Sequence, residues 1–473
     1  MPAFPSSRGT KSRTSRVAVS WSLRVTRLIL GARGVPTTIG GGGHGCVTRG
    51  TGVAISPYPR AVSPRLIRTL LPGLALALAA PLLATTPAEA APPRRKITYA
   101  EWRSSDLAAG TLAGAALRKG QVRITDPVAT RTYGGDTYQV GRWTSPWSTP
   151  GFSLTELIAS WQASTPGNSW IEIEVRGRRA DGTRSSWDVL GRWAAGDGHV
   201  DRGTVNGQSD DLGSVATDTW RTSGVASWQL RVNLMKAGAR SPGLRAVGAM
   251  ASRLPDVNGV ATSAPGRAAR GVVLDVPSYS QMVHSGHYPR WGGGGQAWCS
   301  PTSTSMVLGH YGALPRPRTY RWVPDDHPQP WVDLAARRTF DHAYDGTGNW
   351  PFNTAYAAER TGGPAFVTRL KSLRQAERFI VRGIPLVASI SFSAGELDGA
   401  PISSTNGHLL VIVGFRQNGD VVVNDPAAKT NAGVRRTYDR GQFEDVWLPT
   451  SGGLVYVITD AEHPLPGGKS PNW

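Results

Sequence analysis

The reactive chemistry of this chain concentrates in one stretch. Residues 292–312 read GGGGQAWCSPTSTSMVLGHYG, and Cys299 stands where a helix is expected to begin. Unpaired amides and the dipole at such a position favour an anion, which lowers a thiol pKa from about 8.5, and an adjacent imidazolium lowers it further. A thiolate nucleophile needs a base. The second half of the chain offers His284, His287, His310, His327, His342 and His408. His310 lies on the same helix as Cys299, roughly 16 Å along at 1.5 Å per residue, and cannot reach the sulfur. His408 opens the apolar run HLLVIVGF after Asn406-Gly407 and can project from a fixed strand into a cleft. A third group should accept the other N–H of the imidazole. Asp425, at the end of VVVND, is the candidate. A two-residue turn at Asn418-Gly419 would set it opposite Ile412, about 13 Å along the strand from His408. A longer loop or a bulge is therefore required, and Asn424 remains a substitute.

The elements that must position these groups fall in two parts. From Val272 the pattern is mixed α and β. Helices are expected over 299–312, 353–362 and 372–383, the last with Ser372 and Gln375 at capping-box spacing. Strands are expected over 385–392, 408–415 and 420–425. Residues 97–252 read instead as short alternating strands, such as IEIEVR (171–176) and WQLRVNLM (228–235), which predict an all-β sandwich or jelly roll. Nine tryptophans lie there: Trp102, Trp143, Trp147, Trp161, Trp170, Trp187, Trp193, Trp220 and Trp228. Most are expected in the core; a few exposed ones would stack on wall glycans. SRLPDVNGVATSAPGRAARG (252–271) reads as the linker, giving expected domains at 97–252 and 272–462.

The amino end bears on the compartment. Arg60, Arg65 and Arg68 precede LLPGLALALAAPLLATTPAEA, which reads as a secretory signal peptide ending at Ala88-Glu89-Ala90. The apolar run, interrupted by Pro72 and Pro81, is shorter than the ~20 residues of a spanning helix. Residues 1–60 are basic and lack periodicity, and translation is expected to start further in, near Val53 or Val62. Of the 473 residues, 52 are Lys or Arg and 33 Asp or Glu. Residues 1–90 hold 11 of the basic and one of the acidic groups, so the mature chain keeps a net charge of about +9. That charge suits an anionic cell wall or lipid surface, forms no basic block and argues against nucleic acid. Cys46 leaves with the same segment, making Cys299 the mature chain's one thiol.

Four motifs in order, LDVPSYSQ (274–281), WCSPTSTSMVL (298–308), STNGHLLVIVGF (404–415) and GDVVVNDPAA (419–428), resemble the secreted relatives of the bacteriocin-processing peptidases, cysteine-peptidase family thirty-nine. The resemblance implies a papain-like fold for the second domain, Cys299 as nucleophile, His408 as general base, Asp425 as its orienting acid, and a Gln upstream whose amide joins the Cys N–H in an oxyanion hole. Leader-processing members carry that Gln a few residues before the Cys. Here Gln281 stands 18 before and Gln296 three before; Gln281 is favoured because it ends the matching segment. No cofactor is required for acyl transfer through a thioester. His284 and His287 in HSGH have metal-ligand spacing, but without further ligands clustered nearby in sequence the loop reads as a flap beside the nucleophile, and Asp325-Asp326-His327 as a solvated loop. The expected activity is hydrolysis of protein or peptide substrate outside the cell. The competing readings are a wall-peptide amidase or transpeptidase, and an inactive peptidase-like wall binder.

Overall fold

The computed structural model describes residues 94–467, 472 and 473, except 210 and 258. The expected signal segment, the alternative starts and Cys46 lie outside these residues. No helix among the described residues is long and apolar enough to cross a membrane.

Residues 96–253 build two seven-stranded antiparallel sheets. At the centre of one, Leu154–Ser164 pairs with Gly243–Arg253; at the centre of the other, Ser169–Arg178 pairs with Ser227–Lys236. Inward residues of both sheets, among them Leu157, Val247, Ile173 and Val232, join one hydrophobic cluster, as in a β-sandwich. Six of the nine tryptophans are buried. Trp147 and Trp187 are half-buried, with Arg178 4.5 Å from the centre of the first ring and Arg231 4.2 Å from that of the second. The alternation in IEIEVR points Glu172 and Glu174 away from this core. Both are nonetheless buried, because Arg131 and Arg192 pair with Glu172 and Arg231 with Glu174.

The stretch read as a linker is pinned along the second part of the chain. Ser263 N–H and hydroxyl donate to Glu444, Gly266 N–H donates to Glu377, and Arg440 donates to the Ser263 carbonyl.

The second part is a six-stranded antiparallel sheet in the order Ala365–Arg369, Leu454–Ile458, Leu386–Phe392, Thr405–Phe415, Val421–Asn424, Arg435–Tyr438. Five helices accompany it: α1 Cys299–His310, α2 Pro330–Thr339, α3 Trp350–Thr361, α4 Leu373–Ile380 and α5 Arg440–Ser451. Helix α3 begins three residues before its expected start, because Asn349 caps it by accepting from Phe352 N–H and Pro351 fits the first turn. At α4 the expected Ser372 side-chain cap is absent; Gln375 accepts instead from Lys371 N–H at 2.7 Å.

Helix α1 departs from a one-sided apolar stripe. Its residues 299–308 are all buried, including Ser300, Thr302, Ser303, Thr304 and Ser305. Burial of so many hydroxyls is tolerated because most find partners. Ser300 meets Tyr456 OH at 2.9 Å, Ser303 donates to Leu409 O, Thr304 to Asn353 Oδ1 and Ser305 to Pro301 O.

Candidate active site

The His408 strand receives α1 on one face and presents its ring to the turn after Asn424. The required shift in register is present and has two sources. A three-residue turn closes with Arg416 N–H donating to Asp420 O. Beyond it the pairing changes from Gly414↔Val422 to Ile412↔Val423, a bulge at Val413. Val411 then faces Asn424, which brings Asp425 level with Leu410, one side-chain repeat from His408 on the same face. His408 Nε2 and Asp425 Oδ1 are 2.7 Å apart. Asn424 serves differently: its Nδ2 donates to the carbonyls of Val276 and Pro277, and its Oδ1 accepts from Arg435, clamping the VPSYSQ segment.

Asp425 is also held by Tyr438 OH at 2.8 Å and by Ala427 N–H at 3.0 Å. Burial works against its charge, but the charge of His408 and these hydrogen bonds outweigh it and keep the carboxyl below its ordinary value. Burial and the Asp425 charge push the Tyr438 phenol far up, so it remains a donor. Nothing local in the sequence marks Tyr438 for this role; it comes from the next strand.

Cys299 begins α1 one turn before Ser303, on the helix face that touches Leu409 O. The sulfur-bearing residue is 1% exposed and His408 0%.

Gln281 is buried at the start of a short 3-10 helix, Gln281–His284. Its N–H donates to Pro426 O, directly after Asp425, and its side-chain amide to Gln296 O, three residues before Cys299. Its Oε1 is buried without a hydrogen-bond partner. Gln296 turns the other way: its side chain bonds Gly293 O and Gly286 N–H within the loop. His310 bonds the carbonyls of Asp275 and Gly383.

The glycine-rich loop is folded onto its neighbours. Trp298 Nε1 donates to Trp291 O, and a Cβ on Gly295 would stand 1.9 Å from His284 O. Around it the structure gathers a set of side chains that the sequence reading kept apart. His284, His287 and Asp333 offer ligand atoms within 4.8 Å of one another, and His327, expected in a solvated loop, joins them with Nδ1 3.4 Å from Asp333 Oδ1. Chain distance hid this: Asp333 lies 46 residues beyond His287, on a helix with no earlier counterpart in the reading. The density of histidines between 284 and 342 was the available signal.

The fold and these sites define a two-part protein whose second part carries a buried Cys-bearing helix against a His/Asp pair. The family model Peptidase C39 N-terminal domain matches residues 98–252, and that of the Peptidase_C39 like family matches 273–455. The chain belongs to the C39 family of cysteine peptidases. Among solved structures, a protein described as a C39-like peptidase from Bacillus anthracis is 16% identical, covering 40% of this chain and 97% of its own, at a TM-score of 0.26. An infectious bursal disease virus structure is 12% identical, covering 36% and 58%, at 0.12. Scores this low carry no argument about the fold. No curated protein matches the chain.

Proposed function

We propose that this chain is a secreted cysteine peptidase that hydrolyses peptide bonds through Cys299, His408 and Asp425 within a papain-like second domain. The observation that carries the reading is the buried 2.7 Å bond between His408 Nε2 and a carboxylate held ionised. An ionised carboxylate accepts, so Nε2 bears the proton and Nδ1 is the nitrogen that exchanges one with the thiol. The Cys299 thiolate attacks the substrate carbonyl, and the Gln281 amide with the Cys299 backbone N–H holds the oxyanion. His408 protonates the leaving amine, and water hydrolyses the thioester. Reaching this state requires opening of whatever covers the sulfur, since Cys299 is 1% exposed. For the first domain, Arg176, Arg178 and Arg231 over Trp147 and Trp187 favour an anionic wall polymer over neutral sugar stacking.

The test is alkylation of the reduced thiol as a function of pH, in wild type and His408→Ala, alongside cleavage of denatured casein. The wild-type thiol should react well below pH 8.5, the variant near about 8.5, and Cys299→Ser should not cleave casein. Identical titrations near 8.5 in both proteins would overturn the pairing.

A further inference from the structure

In the second part of the chain, three imidazoles converge on one buried carboxylate. Asp333, in the first turn of α2, has Oδ1 3.0 Å from His287 Nδ1 and 3.4 Å from His327 Nδ1, and Oδ2 3.2 Å from His284 Nδ1. The His287 and His327 rings stack with centres 3.4 Å apart, so both address the same oxygen. His284 and Asp333 are each 0% exposed.

One hydrogen bond, between His287 Nδ1 and Asp333 Oδ1 at 3.0 Å, leaves the rest of this arrangement unaccounted for. The 3.2 Å approach of His284 to Asp333 lacks the alignment of a hydrogen bond, and both His284 nitrogens, His327 Nδ1 and Asp333 Oδ2 are buried without a hydrogen-bond partner. Each such buried orphan is destabilising, and here four of them meet. In a tetrahedral site with bonds of 2.0–2.1 Å, neighbouring ligand atoms stand about 3.3 Å apart. The nitrogen-to-carboxylate separations, 3.0 and 3.4 Å to Oδ1 and 3.2 Å to Oδ2, lie close to that value and are divided between the two carboxylate oxygens, either of which can ligate.

We propose that His284, His287, His327 and Asp333 bind one zinc ion in a structural site. Three imidazoles and one carboxylate form a donor set suited to zinc, and with four protein ligands no position is left for catalytic water. The ion takes one of the two His284 nitrogens, His327 Nδ1 and Asp333 Oδ2, and so removes three of the four orphans. It also ties the loop that leads from Gln281 to Cys299 onto α2 and onto the 320s loop, and, on the function proposed above, helps to keep Gln281 in place. A loop of glycines and aromatics with little sheet or helix of its own gains the most from such a tie.

Metal content of the full-length protein tests this, with no reference to catalysis. Wild type and Cys299→Ser should each hold one zinc per chain, and His287→Ala and Asp333→Asn should hold about tenfold less. Chelator-stripped wild type should gain thermal stability on adding zinc, and Asp333→Asn should not. Should these variants fail to fold, cobalt-substituted wild type decides: intense visible bands without a sulfur charge-transfer band are expected. Absence of both zinc and cobalt bands in folded wild type overturns the proposal. So does a charge-transfer band, or zinc lost in Cys299→Ser, either of which moves the ion to the thiol.

Discussion

At the scale of single residues, the His408 and Asp425 pair shows how a buried charge is kept. The carboxylate has donors from His408, Tyr438 and Ala427 N–H, and its folded pKa lies below the ordinary value. A depressed carboxylate contributes stability that is present above the unfolded pKa near 3.9 and is lost as pH falls through the folded value. Tyr438→Phe removes one donor and raises that folded value. The variant should lose about 1 kcal/mol at neutral pH, and its acid unfolding, followed by circular dichroism, should begin at higher pH. Superimposable acid transitions would show that the phenol contributes nothing to the charge.

Among elements, the connection from Gln281 to Cys299 is the part most sensitive to a single atom. Gly295 is required for space: its added Cβ would meet the backbone of His284 at 1.9 Å, and backbone cannot swing aside. Gly293 is required only for conformation, with φ +89° and nothing within 4 Å of a Cβ. Gly295→Ala should therefore cost about 3 kcal/mol and Gly293→Ala about 1–2 kcal/mol, a difference readable in denaturant midpoints. Equal losses would mean that the packing against His284 is not what holds the loop. The bulge at Val413 is the other decisive element feature, since an unbroken ladder leaves Asp425 out of reach of His408.

Across the whole molecule, the two parts share a core. Phe352 of α3 packs 5.3 Å from Trp193 and 6.0 Å from Trp161, Gln162 donates to Gly363 O, and Ser160 accepts from Val367 N–H. Asp218 of the first part accepts from Trp350 N–H at the start of α3, and burial pushes its pKa up to about 6. A carboxyl raised in the folded state binds its proton more tightly there, so stability is fully present below the unfolded value near 3.9 and falls as pH rises towards 6. The loss at neutral pH is about 2–3 kcal/mol. Asp218→Asn keeps an acceptor without the charge. It should flatten the decline between pH 4 and 6 and raise the melting temperature at pH 7; a wild-type profile already flat over that interval would sink the account.

What could be read without coordinates was whatever is local in the chain. Strand alternation and turn residues marked a strand-rich first part, and apolar runs with caps marked α1, α3 and α4 and three of the six strands of the second sheet. The sequence motifs led to the C39 family. The strands Ala365–Arg369, Arg435–Tyr438 and Leu454–Ile458 went unread because each is short, and their identity depends on the neighbours that bury them. The pairing of His408 with Asp425 instead of Asn424 followed from a register that turn length and a bulge set together. Gln281 and Gln296 differ in where their side chains turn, Gln281 to the carbonyl of Gln296 and Gln296 back into its own loop, and no local feature of the sequence shows this. The four-residue His/Asp cluster lay furthest from reach, since its members are gathered from two loop segments and a helix over some 50 residues, and only chain folding converts such separations into ligand distances.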